Sequence, residues 1–81
     1  MVHKLKKGYY YLEWRPVNPD GTSVGNFVLD PTFEVKGSEH AWMKYLEHTA
    51  KMLFAEARLM KDGKPVFRVK KYNWVEERSK V

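Results

Sequence analysis

The sequence contains no cysteine, which excludes disulfide bonds and metal sites built from thiolates. The stability of so short a chain must therefore come from packing or from self-association. The sequence also lacks any run close to the roughly 20 apolar residues that cross a bilayer, and its first residues lack the apolar core of a signal peptide. We therefore predict a cytoplasmic protein with no membrane association.

Patterns of catalytic residues are also missing. His40 and His48 stand two helical turns apart, whereas two imidazoles that share a metal on a helix need a four-residue spacing. Thr22 and Ser23 lie in no nucleophile turn, and the glycines between positions 21 and 25 are not followed by the Lys-Ser or Lys-Thr pair of a phosphate-binding loop. We predict that the chain is not an enzyme and carries no cofactor or metal.

What the sequence does contain is apolar residues and positive charge. Hydrophobic residues make up 43% and aromatic residues 15%, too much for a disordered chain, so residues 1–81 are predicted to form one domain. The formal net charge is +5, a balance that favours polyanions or acidic protein surfaces. The cations gather near the two ends of the chain: Lys4, Lys6, Lys7 and Arg15 near the first, and Lys61, Lys64, Arg68, Lys70 and Lys71 near the other.

The first half predicts β-strands. Residues 8–17 alternate, so one set (Tyr10, Leu12, Trp14) is expected in the core and the other set (Tyr9, Tyr11, Glu13, Arg15) on the opposite face. The turn residues 18–21 indicate a hairpin to a second strand at 25–29. Residues 32–36 are either its continuation past a bulge or a short third strand.

A long helix is predicted to follow. Ser38 is a suitable N-cap, and an apolar stripe at helical spacing extends to about Met60. A helix of that length overhangs a sheet of short strands, so Met43 and Phe54 could close a homodimer, as could a free strand edge. The alternative is that the hairpin wraps a broad stripe and buries it.

The chain after the helix predicts one more strand. Gly63 and Pro65 end the helix, and residues 66–75 form the strand, with a bulge near Lys70 and Lys71 that returns Tyr72 and Trp74 to the core side. Residues 76–81 are predicted to be a flexible polar tail and residues 1–7 a flexible basic arm. The fold class is therefore α+β, with three to four antiparallel strands in the order β-β-(β)-α-β and one helix across one face.

Tyrosines and cations of the first and last strands form the candidate site. If these strands are neighbours, the face opposite the helix is a basic surface on which cations neutralise phosphates and tyrosines stack on bases. The alternative is that the same side chains only stabilise the sheet through cross-strand contacts. The predicted nucleic-acid-binding residues are Lys4, Lys6, Lys7, Tyr9, Tyr11, Arg15, Arg68, Lys70 and Lys71.

From Tyr9 to about Leu46 the chain resembles the AP2-like N-terminal DNA-binding domain of phage-type tyrosine integrases. The resemblance rests on the strand that ends Trp14-Arg15, the turn Asn18-Pro19-Asp20-Gly21, Phe33, and the helix start Glu39-His40-Ala41-Trp42. It implies a three-stranded sheet that lies in the DNA major groove with a helix packed behind it. The family's middle strand is strongly basic, whereas Asn26-Phe27-Val28-Leu29-Asp30 carries no cation, and the strand after the helix has no counterpart in the family.

Two functions are consistent with these patterns. The first is DNA or other nucleic-acid binding through the exposed sheet face and the N-terminal arm, which predicts salt-sensitive affinity. The second is binding and modulation of a host protein, as small proteins of phages and mobile elements do, for which the aromatic residues and the neutral middle strand are evidence.

Overall fold

The computed structural model describes residues 8–81, apart from the side chain of Glu34, so the predicted basic arm with Lys4, Lys6 and Lys7 lies outside the described residues. One α-helix and five β-strands make up this part of the chain. They are β1 (Tyr9–Pro16), β2 (Val28–Lys36), α1 (Ser38–Ala50), β3 (Ala55–Lys61), β4 (Lys64–Tyr72) and β5 (Val75–Lys80).

All five strands join one antiparallel sheet in the order β2-β1-β3-β4-β5, and α1 crosses one face. The α+β class is confirmed, but the sheet has more strands than the three to four predicted. β2 is continuous through Lys36, and its pairing with β1 is irregular between Tyr11 and Glu13, which favours the alternative of one strand interrupted by a bulge. Between residues 8 and 81, no helix is long and apolar enough to cross a membrane.

The helix ends ten residues earlier than predicted. It stops at Ala50, and Lys71 of β4 donates from its Nζ atom to the carbonyl oxygens of Thr49 at 2.7 Å and Ala50 at 3.5 Å. A cation at this position satisfies carbonyls that have no partner within the helix and interacts favourably with the helix dipole. The prediction of a helix up to Met60 is wrong because residues 55–61 form β3, the middle strand of the sheet.

The polar residues at the C-terminal end form an edge strand. β4 keeps a regular register from Phe67 through Lys71, so the bulge predicted near Lys70 and Lys71 is absent, and the one irregularity in its pairing with β3 lies between Pro65 and Phe67. A two-residue turn at Asn73 and Trp74, with Asn73 at φ 51°, then leads into β5, which occupies most of the segment predicted to be a flexible tail. Its charged side chains suit a strand at the edge of a sheet, because they oppose pairing with another chain.

The core lies between α1 and the middle of the sheet. Leu12, Leu59 and Val69 of three adjacent strands are at most 2% exposed, and Ala41 and Tyr45 of the helix pack against them. The buried residues of the helix are Ala41, Tyr45 and Thr49. Thr49 belongs to the predicted stripe, whereas Trp42 and Leu46 of that stripe remain 38% and 37% exposed. The buried residues of this cluster are Tyr10, Leu12, Phe33, Ala41, Tyr45, Ala57, Leu59 and Val69.

Candidate binding surfaces

The loop between β1 and β2, residues 17–27, lies across the face of the sheet opposite the helix. Lys70 Nζ donates to the Gly21 carbonyl at 3.0 Å, and Arg15 Nη1 donates to the Gly25 carbonyl at 3.3 Å. Gly21 itself packs on the ring of Tyr72, where a Cβ atom would come within 2.8 Å of the ring. The face that the sequence predicted to be open is therefore largely covered by the chain itself.

Phe27, at the end of this loop, packs against two arginines of the sheet. The guanidinium carbons of Arg15 and Arg58 lie 4.4 and 3.9 Å from its ring centroid. Cation–π contacts of this kind stabilise by roughly 0.5–2 kcal/mol each, depending on exposure. The two guanidinium groups therefore already stack on an aromatic ring of the chain itself.

Glu56 is at the centre of the same face and is only 7% exposed. Its carboxylate accepts hydrogen bonds from Ser23 Oγ at 2.6 Å and from Arg15 Nε at 2.9 Å, and Lys70 lies opposite it on β4. Burial acts to raise the pKa of Glu56, but the hydrogen bonds from Ser23 and Arg15 and the charges of Arg15 and Lys70 outweigh it. The net result is a pKa below the ordinary value.

A second ion pair runs parallel to the first. Arg58 Nε donates to Glu13 Oε1 at 2.8 Å, and β3 places Arg58 directly opposite Arg68 of β4. Cations and carboxylates alternate in the row of Arg15, Glu56 and Lys70, whereas in the row of Glu13 two arginines, Arg58 and Arg68, are neighbours. Most of the charge on this face is nevertheless balanced internally.

The predicted site residues are dispersed in the structure. β1 and β4 are not neighbours, because β3 lies between them, so the condition on which the predicted site depended is not met. Tyr11 is 4% exposed and its hydroxyl accepts the Gly63 N–H at 3.0 Å, which leaves its ring no surface for stacking. Lys71 lies on the helix side, where it interacts with the end of α1.

The remaining predicted residues have different surroundings. Arg15 contacts both Glu56 and the loop, Lys70 binds the loop at Gly21, and Tyr9 is half-buried at the start of β1. Arg68 is exposed and donates to Ser79 Oγ at 3.4 Å. Arg68 is therefore the predicted residue of β4 that is most accessible to a partner.

Lysines of three strands meet at one end of the sheet, which we call the basic end: Lys36, Lys61 and Lys64. Lys36 closes β2, Lys61 closes β3 and Lys64 opens β4, and all three are exposed. β1 begins beside them, since Tyr9 pairs with Lys36 and Tyr10 with Lys61. Residues 1–7, which carry three lysines and no acidic residue, are thus joined to the chain at this end.

The opposite end of the molecule is apolar. It consists of Trp14, Met52, Leu53, Trp74 and Val75, which we call the apolar end. Trp74 is 100% exposed, Leu53 70% and Trp14 40%. Met52 borders two concavities, one of about 250 Å³ that reaches Trp74 and one of about 270 Å³ that reaches Trp14.

The sequence did not predict Trp74 as a binding residue, because a bulge near Lys70 and Lys71 was expected to turn Trp74 toward the core. The signal available was Asn73, because asparagine tolerates the left-handed backbone conformation that it has in this turn. A turn at that position exposes the next residue rather than burying it.

The helix histidine His48 has structural contacts. Its Nδ1 atom is 3.4 Å from Asp30 Oδ2, and its ring meets the ring of Phe33 edge to face at 5.1 Å. Within residues 8–81, no group of three or more histidines, aspartates and glutamates is arranged to hold a metal ion.

No protein-family model, curated protein or solved structure matches the chain. The resemblance to the AP2-like integrase domain therefore stays a prediction, and the surfaces described above are the basis for assigning a function.

Glu56→Gln is expected to lower the free energy of unfolding at pH 7 by about 1–2 kcal/mol, because Arg15 and Lys70 lose their counter-charge. The pKa of Glu56 in the folded state is below its value in the unfolded state, which is near 4.5. The stability that the charged carboxylate contributes is therefore complete above pH 4.5 and is lost as the pH falls through the folded-state pKa. Urea unfolding of both proteins at several pH values measures the difference.

The control is Glu47→Gln, whose exposed carboxylate is 3.6 Å from Lys44. We expect it to change the stability little at any pH. A difference between wild type and Glu56→Gln that is equally large at pH 3 and pH 7 would contradict a charged Glu56 in the folded state.

Proposed function

We propose that the chain is a binding domain without catalytic activity that docks on a protein partner through the apolar end. The observation that carries this proposal is the complete exposure of Trp74 in a tight turn between two paired strands. A tryptophan buries more apolar area than almost any other side chain when a partner covers it, and tryptophans are enriched among the residues that dominate protein interfaces.

The surroundings of Trp74 support this assignment. Leu53 and Val75 extend the apolar area, and the concavities on either side of Met52 have room for apolar side chains of a partner. Two pairs of polar groups lie nearby: Lys71 Nζ is 3.5 Å from Glu76 Oε1, and His48 contacts Asp30. An apolar centre with a paired polar rim matches a protein surface better than it matches a polyanion.

Trp74→Ala tests the proposal. Because the side chain is fully exposed, the free energy of unfolding should change by no more than about 0.5 kcal/mol. Affinity for the partner should fall at least about tenfold, since the central side chain of the interface is removed. Wild type and Trp74→Ala are immobilised, and the proteins that each retains from a lysate of the source cells are identified, purified and titrated by calorimetry.

Met43→Ala is the matched control, since Met43 is 62% exposed on the helix and lies outside the apolar end. It should retain the same partner with unchanged affinity. A purified partner that binds wild type and Trp74→Ala equally well would contradict the proposal. Sedimentation of the chain alone is the second readout, and dimers of wild type that Trp74→Ala abolishes would identify the occupant as a second copy instead.

Nucleic-acid binding is the second candidate, and the basic end is the observation that favours it. The lysines there are exposed, whereas most of the cations on the loop-covered face are paired with carboxylates or loop carbonyls. Residues 8–81 hold twelve of the fifteen basic residues and all ten acidic ones, so the excess charge of this part is only two. The rest of the net charge belongs to residues 1–7, which join the chain at the basic end.

Lys61→Gln with Lys64→Gln tests this second candidate. If the basic end binds phosphates, the double variant should bind DNA or RNA more weakly. The slope of log affinity against log salt should also become shallower by about one for each phosphate that is no longer neutralised. Fluorescence anisotropy over a range of salt concentrations measures both quantities.

Lys44→Gln with Lys51→Gln is the control of equal charge, because Lys44 lies within the helix and Lys51 directly follows it, so neither belongs to the basic end. Equal reductions of affinity in the two double variants would show that net charge alone attracts nucleic acid. Absence of micromolar affinity in the wild type at low salt would exclude this function.

A further inference from the structure

The concavity beside Trp14, at the apolar end, has two polar groups in an otherwise apolar wall. Its volume is about 270 Å³, below the roughly 300–1,000 Å³ of pockets that hold drug-sized ligands, so it suits a single side chain of a partner. The residues that line it are Leu12, Trp14, Asp30, His48, Met52 and Ala55. Because four of the six are apolar, Asp30 and His48 decide which polar group the pocket accepts.

Asp30 is a carboxylate held by its own turn. Its Oδ1 atom accepts the Thr32 N–H at 2.9 Å and the Thr32 hydroxyl at 2.7 Å. Burial acts to raise the pKa of Asp30, but these hydrogen bonds and the neighbouring His48 outweigh it, so the pKa is below its ordinary value. The group is therefore ionised at neutral pH and can only accept hydrogen bonds.

The imidazole of His48 is positioned by two neighbours. Its Nδ1 atom lies 3.4 Å from Asp30 Oδ2, and the Phe33 ring meets it edge to face at 5.1 Å. A carboxylate beside Nδ1 favours the neutral tautomer with its proton on Nδ1, which leaves Nε2 as an acceptor. Within residues 8–81, Nε2 has no hydrogen-bond partner and is not a buried atom, and the His48 side chain is 27% exposed.

The pocket thus offers acceptors and no donor. None of the described residues that line it is a lysine or an arginine, so an anionic group would be repelled by Asp30 without compensation. An ammonium group would lose more hydration against this apolar wall than a neutral hydroxyl does. The phenol of a tyrosine combines an apolar ring, which packs well against an indole, with a neutral hydroxyl that donates.

We propose that this pocket receives a tyrosine side chain of the protein partner, whose hydroxyl donates a hydrogen bond to His48 Nε2 and whose ring packs on Trp14. This tyrosine belongs to the partner that docks on the apolar end, so its assignment rests on the proposed function. It adds a polar requirement to a surface that Trp74 defines only by apolar area.

Two small compounds that differ only in the hydroxyl test the pocket, the amides of N-acetyl-tyrosine and N-acetyl-phenylalanine. Each is titrated into ¹⁵N-labelled protein at about pH 8, where an unperturbed histidine is neutral. The tyrosine compound should shift the indole N–H signal of Trp14, assigned with Trp14→Phe, in a saturable manner and leave that of Trp42 in place. The phenylalanine compound should bind at least about threefold more weakly, because it cannot donate the hydrogen bond. A purely apolar pocket would give the opposite order.

His48→Phe separates the hydrogen bond from the apolar contacts. Phenylalanine keeps a ring against Phe33 but has no acceptor, so this variant should bind the two compounds with about equal Kd values. His40→Phe is the matched control, because His40 is exposed on the same helix and does not line the pocket, and it should keep the wild-type preference. In the wild type, a long-range ¹H–¹⁵N spectrum of the imidazole should show the His48 proton on Nδ1.

Three results would overturn the proposal. The first is a Trp14 signal that does not move up to about 10 mM of the tyrosine compound, beyond the range of weak specific binding. The second is equal or tighter binding of the phenylalanine compound, or of the amide of N-acetyl-lysine. The third is a His48→Phe variant that keeps the wild-type preference for the tyrosine compound.

These titrations use no partner, so their outcome is separable from that of Trp74→Ala. A tyrosine compound that does not bind, together with a partner that Trp74→Ala weakens, would remove the tyrosine pocket and keep the proposed function. A tyrosine compound that binds, together with a partner that Trp74→Ala does not affect, would keep the preference of the pocket and remove docking through the apolar end.

Discussion

The buried carboxylate of Glu56 is the constraint on which the face opposite the helix depends. A carboxylate removed from water without compensation costs several kcal/mol, so a charge at the middle strand of a sheet requires partners from neighbouring segments. Arg15 provides one from β1 and Ser23 provides one from the loop, while Lys70 stands across from it on β4 and also binds the loop at Gly21. The same set of contacts therefore pairs the charge and holds residues 17–27 against the sheet.

Closure of that face decides where a partner can bind. With α1 on one side of the sheet and the loop on the other, most aromatic and charged side chains of the strands are used within the molecule. The surfaces that remain available lie at the two ends of the strands. One end presents Lys36, Lys61 and Lys64, and the other presents Trp74 and Leu53. The domain is therefore polarised along its strands, whereas the sequence predicted a binding surface on the sheet face opposite the helix.

Sequence reasoning predicted the parts of the fold that depend on local pattern: β1, the turn at 18–21, a helix that begins close to Ser38 and the α+β class. The N-cap is Gly37 rather than the predicted Ser38, and no side chain caps the N-terminus of the helix. The same reasoning placed residues 55–60 in the helix because an apolar stripe at helical spacing continues to Met60, although both faces of this strand are buried in the sheet. Strict alternation along β4 places Lys71 on the core side of the sheet, which the sequence prediction avoided by assuming a bulge.

In the structure Lys71 does lie on that side, and its Nζ atom binds the carbonyl oxygen of Thr49 at the end of α1. This contact could not be predicted because the helix end is distant in sequence. Tyr11 and Arg15 are likewise covered by residues that are distant in sequence. The alternation of residues along β1 therefore could not predict how exposed they are.

The position of the loop on the sheet is tested most directly by the contact between Gly21 and Tyr72. In an NMR spectrum of the wild type, we expect nuclear Overhauser effects between the Hα protons of Gly21 and the ring protons of Tyr72, because a Cβ atom on Gly21 would lie only 2.8 Å from that ring. The ring current should also displace the Gly21 Hα shifts from their values in an unstructured chain. Unstructured shifts without any such effect would contradict a closed face, since the loop would then be off the sheet and the face of Arg15, Arg68 and Lys70 would be open.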